Sequence, residues 1–239
     1  MEILKPINHP LADLSWVKQA IREALGKQWR AKIKHLAYRL LWELRPIFSF
    51  PGSSPLAVDV ELASYCNFRC RMCQQSTNWW NKLGISVKDS LMPWELFTKV
   101  VDECAEMGVY SMKINWRGEP MANPHFAECI RYMKEAGIHE VMMNTNASYI
   151  TEENVDDLLT SGIDRIIISC DGVSRETYNK IRLGGDWDKF IMNVELLNEH
   201  LNLLKLTDVH FRFPIIRINV AVMEANQHEV EDFKRIFLP

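Results

Sequence analysis

The chain has 239 residues with 47% hydrophobic and 25% charged content, which suits one full-sized globular domain with an appendage. Ten Gly and ten Pro exclude a low-complexity or fibrous chain, and six Cys, three of them within eight residues, are not the pattern of a small secreted disulfide scaffold. The formal net charge of −3 excludes an overall basic nucleic-acid-binding domain, so we expect no nucleic-acid partner.

The first 50 residues differ from the rest of the chain in charge. They carry nine Lys or Arg against four Asp or Glu, a net charge of +5, whereas the remainder carries 19 against 27, a net charge of −8. Within residues 15–46 apolar residues recur at helical spacing and basic residues occupy the other faces, which predicts a basic amphipathic helix. We assign residues 1–50 to this helical extension, 51–56 to a linker with Pro and Gly, and 57–239 to the main domain.

Two interpretations of the helical extension are open. The helix either packs on the main domain with a solvated basic face, or contacts an anionic membrane surface or a protein partner through residues 15–46. The N-terminus lacks a basic region followed by an apolar core and a cleavage site, and no stretch is long and apolar enough to span a bilayer. We therefore expect a cytoplasmic protein, with peripheral contact at the membrane surface as the alternative.

From residue 57 onward, short apolar runs alternate with amphipathic segments. The predicted strands are residues 56–62, 110–116, 141–144, 165–170 and 215–222. The predicted helices are residues 93–107, 124–136, 152–161, 187–204 and 228–237. This alternation predicts an α/β fold with a parallel sheet of at least five strands, in which ligands bind at the carboxyl ends of the strands.

Three cysteines, Cys66, Cys70 and Cys73, directly follow the first predicted strand. Thiolates are soft ligands that select iron–sulfur clusters, zinc or copper(I). Three thiolates can hold three irons of a 4Fe-4S cluster and leave the fourth without a protein ligand, whereas an electron-transfer cluster uses four Cys. A zinc site, which needs a fourth ligand, and three unrelated thiols are the alternatives. The remaining cysteines are expected to be small buried side chains: Cys104, Cys129 and Cys170.

The Cys-x3-Cys-x2-Cys spacing after a first strand resembles the signature of the radical S-adenosylmethionine (SAM) superfamily. Gly118-Glu119-Pro120 follows the second predicted strand, as the Gly-Gly-Glu-Pro motif of that family does, and Thr145-Asn146 follows the third. Ser169-Cys170-Asp171-Gly172 at the fourth strand, with Arg182 beyond it, is most similar to the SPASM-type branch. The resemblance covers residues 58–237, and the C-terminal auxiliary-cluster domain of that branch has no counterpart here.

The resemblance implies a partial (β/α) barrel with a 4Fe-4S cluster and SAM as cofactors. The three cysteines are then the metal ligands, Gly118 and Glu119 receive the ammonium group of SAM, and Ser169 and Arg182 bind its carboxylate. Met72 lies near the adenine, and residues 219–221 also contact SAM. Simpler roles are also open: Glu119 as a helix N-cap acid, Ser169 and Asp171 as turn residues, and Arg182 on a solvated helix face.

Three positions depart from the family pattern. The first Gly of the Gly-Gly-Glu motif is Arg117, the Gly expected after Thr145-Asn146 is Ala147, and the aromatic expected before the third Cys is Met72. The sequence singles out no catalytic residue beyond the cofactor ligands.

The function that this resemblance implies is reductive cleavage of SAM to a 5′-deoxyadenosyl radical, which abstracts hydrogen from a substrate. The expected substrate is a peptide or protein or a cell-surface carbohydrate precursor, and the expected electron donor is a flavodoxin or ferredoxin. The alternatives are a truncated or degenerate module that binds the cluster or SAM without turnover, and a regulatory protein that binds zinc.

Overall fold

The computed structural model describes residues 29–76, 90–208 and 212–237 and divides the chain into two compact units, Met1–Leu56 and Ala57–Pro239. In the first unit, helix α1 spans Trp29–Ile47, while residues 1–28 of the predicted extension lie outside the described residues. The Arg45 guanidinium donates hydrogen bonds to the carbonyl oxygens of Pro51 and Ser54, at 3.2 and 2.8 Å. These bonds fold residues 51–54 back onto the end of α1.

The second unit contains one five-stranded sheet in which every strand is parallel to its neighbours. The strands lie in chain order and are β1 (Ala57–Asp59), β2 (Ser111–Lys113), β3 (Glu140–Thr145), β4 (Arg165–Ser169) and β5 (Ile215–Asn219). β1 and β5 form the two edges of the sheet, which is therefore not closed within the described residues. The predicted parallel α/β fold is confirmed, and it is a partial barrel.

Helices connect the strands, as the alternation predicts. They are α2 (Trp94–Glu106), α3 (Phe126–Glu135), α4 (Val155–Thr160), α5 (Arg175–Ile181), α6 (Trp187–Thr207) and α7 (Val230–Phe237). Helix α5 is absent from the sequence prediction because its seven residues are mostly polar and show no apolar period. Its N-terminus is capped by Ser174, whose side chain accepts a hydrogen bond from the Thr177 N–H.

The two faces of the sheet differ in polarity because side chains alternate along each strand. Fully buried residues such as Met143 and Ile168 point to one face and pack with α2 to α6 in a single hydrophobic core. Several residues that point to the opposite face, among them Lys113, Asn144 and Ser169, are only partly buried. This second face is the polar one.

β1 and β2 are shorter than the predicted runs of residues 56–62 and 110–116. At the carboxyl ends of the strands, side-chain oxygens replace backbone carbonyls as hydrogen-bond acceptors. The N–H groups of Arg117 and Gly118 donate to the Glu61 carboxylate at 2.8 and 3.2 Å, and the Asn144 N–H donates to Asn115 Oδ1 at 2.8 Å. The backbone hydrogen bonds between these strands therefore end early, and the chain forms loops at this edge of the sheet.

No helix in the part of the chain that the structure describes is long and apolar enough to cross a membrane.

Candidate functional site

The cysteine loop follows β1 and presents its thiols at the carboxyl edge of the sheet. Cys66, Cys70 and Cys73 are partly exposed and unpaired, whereas the other three cysteines are buried in the core, as expected. The Phe68 N–H donates to Cys66 Sγ at 3.4 Å, and the Cys73 N–H donates to the carbonyl of Cys70 at 3.0 Å. These local hydrogen bonds fold the loop into a turn in which the three thiols remain partly accessible.

Burial raises the pKa of two of these thiols, those of Cys66 and Cys70. The pKa of Cys66 is raised to about 11, because burial and, to a smaller extent, the nearby carboxylate of Glu119 outweigh the hydrogen bond from the Phe68 N–H, which lowers it. Burial also raises the pKa of Cys70, and the positive charge of Arg182 opposes this. In the metal-free protein these two thiols therefore keep their protons at neutral pH, and a metal must displace them.

Glu119 lies in the loop that follows β2 and links the cysteine loop to β3. Its carboxylate accepts hydrogen bonds from Thr145 Oγ1 at 2.7 Å and from the Asn146 N–H at 2.8 Å, and its own N–H donates to the carbonyl of Tyr65. Asn146 in turn directs its side-chain amide to Cys66 Sγ at 3.6 Å. The structure thus brings the predicted motifs after the first three strands into one hydrogen-bonded group.

The surroundings of Glu119 disfavour the ionised form of its side chain. The residue is only 3% exposed, and burial raises its pKa to about 7, although the three groups that donate to it oppose the rise. One of these donors is the Met121 N–H, because Glu119 caps the short 3-10 turn Pro120–Ala122. The N-cap alternative is therefore confirmed as a local role, which leaves a buried carboxylate suited to a cationic group.

Gly118 allows the backbone after β2 to approach the cysteine loop. A Cβ atom at this position would lie 1.8 Å from the carbonyl oxygen of Ala63 and 2.8 Å from that of Tyr65. No side chain fits there, because both clashing atoms belong to the backbone. The preceding Arg117, where the family has Gly, turns away and pairs with Glu61 at 2.6 Å. Arg117 is thus accommodated in place of the family's Gly because Glu61, just after β1, binds its guanidinium.

Arg182 does not lie on a solvated helix face, so that alternative is wrong. Its guanidinium is buried and pairs with the Asp171 carboxylate through Nη2 and Oδ2 at 2.7 Å. Asp171 also accepts a hydrogen bond from the Ala221 N–H at 2.8 Å, which makes it more than a turn residue. The pair joins the end of β4 to the segments that follow α5 and β5.

Two further predicted site residues, Ser169 and Met72, lie at the same edge of the sheet but form fewer contacts with the site. Ser169 ends β4, opposite Asn219 of β5, and points to the polar face of the sheet. Met72 is 38% exposed, between the second and third cysteines. Within the described residues, neither side chain forms a hydrogen bond to the other predicted site residues.

Two residues of the site carry no motif signal in the sequence. Glu61 and Asn115 supply the side-chain oxygens that end the ladder between the first three strands. Burial raises the pKa of Glu61, but hydrogen bonds and charge from Arg117 outweigh this and leave it lowered, so the carboxylate is ionised. The available signal is that Glu61 is a polar residue between the apolar Val60 and Leu62.

The arrangement fits the cluster that the resemblance implies. The three thiols are soft donors, partly accessible, and backbone or amide N–H groups are directed at a sulfur, as is common around iron–sulfur clusters. In the described part of the chain, no three His, Cys, Asp or Glu side chains are grouped to hold a single metal ion.

Comparison with known proteins bears on this site. The family model described as the radical SAM superfamily matches residues 60–213. The chain is 26% identical over 179 residues to the AdoMet-dependent heme synthase of Methanosarcina barkeri, covering 74% of this chain and 46% of that protein. It is 27% identical over 181 residues to the GTP 3′,8-cyclase of Clostridium botulinum, covering 74% and 51%. The chain thus spans about half the length of these curated relatives.

A solved structure has the same fold. SuiB of Streptococcus suis, bound to S-adenosylmethionine, superposes with a TM-score of 0.56 at 19% identity, covering 92% of this chain and 49% of that chain. The family match includes all three cysteines of the motif, Gly118-Glu119 and the Asp171–Arg182 pair. A 4Fe-4S cluster and SAM are the cofactors of this family. From the matched residues and the shared fold, the chain belongs to the radical SAM superfamily.

Proposed function

We propose that this chain is a radical SAM enzyme in which Cys66, Cys70 and Cys73 hold a 4Fe-4S cluster. The observation that carries the proposal is the hydrogen-bonded group that joins the cysteine loop to Glu119 and Asn146 at the carboxyl edge of the sheet. When bound, the cluster supplies the electron that cleaves SAM into methionine and a 5′-deoxyadenosyl radical, which takes a hydrogen atom from the substrate. The protein's own residues orient SAM and shield the edge from water.

The proposed SAM contacts divide by charge. The buried carboxylate of Glu119, with the backbone at Gly118, receives the ammonium group, because an ionised acceptor pairs with a cation in a site that excludes water. Ser169 and the remaining donors of Arg182 receive the carboxylate of SAM, which suits a hydroxyl and a planar guanidinium. Met72 and the segment at residues 219–221 lie beside the adenine.

The substrate is proposed only by class. A peptide or protein, or a cell-surface carbohydrate precursor, approaches the polar face of the sheet, where Lys113, Asn144 and Arg217 are at least partly accessible. A flavodoxin or ferredoxin in the cytoplasm supplies the electron. The alternative is a degenerate module that binds the cluster or SAM without turnover.

A cleavage assay separates the enzyme from the degenerate module. The full chain is reconstituted anaerobically with iron and sulfide and mixed with SAM and dithionite. We expect 5′-deoxyadenosine and methionine to accumulate in equal amounts, and none to form with the Cys70→Ala variant. A protein that binds iron and sulfide but releases no 5′-deoxyadenosine fits the degenerate module and contradicts turnover.

We also propose that α1 contacts an anionic membrane surface, the second of the two interpretations of the extension. Its apolar residues Ile33, Leu40, Leu44 and Ile47 are 43 to 63% exposed and lie along one side of the helix. Five Lys or Arg and a single acidic residue share the same helix. An apolar stripe with basic neighbours suits a helix that lies in the plane of an anionic bilayer.

Vesicle sedimentation tests this contact. The full chain is expected to pellet with phosphatidylcholine vesicles that contain phosphatidylserine and not with phosphatidylcholine alone. Leu40→Glu with Leu44→Glu is expected to weaken binding at least about tenfold, because two apolar anchors are replaced by like charges. The matched control is Leu203→Glu with Leu206→Glu, the same change at two exposed leucines of α6. Equal binding by both double variants, or none by the parent chain, contradicts membrane contact.

A further inference from the structure

The cysteine loop is paired with the segment that follows α5. The Arg69 N–H donates to the carbonyl of Leu183 at 2.7 Å, and the Arg71 N–H donates to that of Ile181 at 3.0 Å. The two bonds run between antiparallel stretches, so the residues between them, Cys70 and Arg182, lie opposite each other. This pairing fixes the buried guanidinium beside the middle cysteine of the motif.

The cysteine loop and the segment that follows α5 lie close together over several residues. A Cβ atom at Gly185 would lie 2.8 Å from the ring of Phe68, and Gly184, with φ of +90°, lies against the carbonyl oxygen of Asn67. Larger residues at these positions would push the segment away from the cysteine loop. The position of Arg182 relative to Cys70 is thus set by backbone on both sides.

The charge of Arg182 is balanced by one carboxylate. The side chains of Arg182 and Asp171 are 8% and 2% exposed and meet at 2.7 Å, while the Arg182 Nε–H has no hydrogen-bond partner among the described residues. Asp171 is fixed from the other side by the Ala221 N–H, and Asn226 donates to the carbonyl oxygens of Asp171 and Ala221. Asp171 is therefore held by the segments that follow β4 and β5, whereas Arg182 is held by the pairing with the cysteine loop.

Electrostatics connects this pair to Cys70. The backbone pairing places Arg182 opposite Cys70, and the Asp171 carboxylate meets the Arg182 guanidinium at 2.7 Å. Interactions between charges are stronger in a buried, weakly polarisable site than in water. A further negative charge placed at Cys70 is thus stabilised by Arg182 and destabilised by Asp171.

We propose that Arg182 and Asp171 are positioning residues that set the reduction potential of the cluster held at Cys70. This inference rests on the proposed function, because it requires the cluster. Reduction adds one electron, so the reduced state carries one more negative charge than the oxidised state. Arg182 stabilises the reduced state and raises the potential, and Asp171 limits this effect.

Two variants of the ion pair are expected to shift the potential in opposite directions. Arg182→Gln removes the cation and lowers the midpoint potential, whereas Asp171→Asn leaves the cation unbalanced and raises it, while its oxygen still accepts the Ala221 N–H. Each shift is expected to change the equilibrium constant for reduction about tenfold, which is ~59 mV for one electron. Arg182→Lys, which keeps the charge, is expected to shift the potential less than Arg182→Gln.

The measurement is a redox titration of the reconstituted full chain, followed by electron paramagnetic resonance without SAM, with iron and sulfide determined for each variant. SAM is left out so that loss of a carboxylate contact does not contribute. The control is Arg165→Gln, which breaks the ion pair to Glu140 at the start of β4, away from the cysteine loop, and is expected to leave the potential unchanged.

Each outcome decides one of the two proposals. Shifts in the same direction, or no shift at full iron content, overturn the electrostatic role and leave the proposed function intact. If Arg182→Gln loses its iron, the sign for Asp171→Asn decides, and a lowered or unchanged potential in that variant overturns the inference. A parent chain that binds no cluster contradicts the proposed function itself.

Discussion

Changing any one of Cys66, Cys70 and Cys73 to Ala is expected to remove the 4Fe-4S cluster from the reconstituted protein. In the proposed site each thiolate would hold a different iron, and no other described cysteine is accessible at the carboxyl edge of the sheet to replace it. Iron and sulfide per chain, with the visible absorption of the cluster, measure the loss. We expect near-complete loss in each variant, because a cluster with two protein thiolates is open to solvent and to further loss of iron.

The matched control is Cys104→Ala, a cysteine of α2 that is only 3% exposed and packs in the core. This change is expected to leave the iron content unchanged and to lower the free energy of unfolding by about 1 kcal/mol, the cost of a small cavity. Full iron content in Cys70→Ala is the result that would rule out the assigned ligand set.

The second large effect is expected at Glu119. Its pKa of about 7 lies above the value of 4.5 for an exposed Glu, so the folded metal-free protein binds a proton between these pH values that the unfolded chain has released. The contribution of this group to stability is therefore complete below pH 4.5 and is lost as the pH rises to about 7. The loss amounts to about 3 kcal/mol.

Glu119→Gln is expected to remove this pH dependence from the free energy of unfolding of the metal-free protein. The amide keeps one oxygen acceptor, and the Thr145 hydroxyl can reverse its role to accept from the amide nitrogen. Denaturant titrations at several pH values measure the effect, with the exposed Glu195→Gln as control. Parallel pH profiles for Glu119→Gln and the parent chain would contradict the assignment of the raised pKa.

The same variant reports on SAM. Because a bound ammonium favours the ionised carboxylate, the affinity of the reconstituted protein for SAM is expected to rise as the pH passes through about 7. Glu119→Gln is expected to lower that affinity about 10- to 100-fold at pH 8, the typical effect of losing a charge-assisted hydrogen bond. Equilibrium dialysis measures it, and an unchanged affinity is incompatible with Glu119 as the ammonium partner.

Much of the fold follows from local patterns in the sequence. Strands such as Arg165–Ser169 contain short apolar runs, here three consecutive Ile, and the longer helices have an apolar period, so their order predicts the parallel sheet. The cysteine spacing is likewise local. The carboxyl-edge rule then predicts that Cys66, Glu119 and Asn146 meet, which the hydrogen bonds between these motifs confirm.

Contacts between distant residues could not be predicted in the same way. The pairs Glu61–Arg117 and Asp171–Arg182 depend on where two loops meet at the edge of the sheet, and neither pair has a fixed spacing. Glu61 explains how Arg117 takes the place of a Gly, since its carboxylate receives both the guanidinium and the backbone N–H. Such compensation between loops is visible only once the strand register is known.

The central claim is that three protein thiolates leave one iron of the cluster open to SAM. It is tested most directly by Mössbauer spectroscopy of the full chain reconstituted with the Mössbauer-active isotope of iron, with and without SAM. We expect one of the four irons to give a distinct signal that shifts when SAM is added, because its coordination changes while the three cysteine-bound irons keep theirs. Four irons that remain equivalent in the presence of SAM would contradict the account.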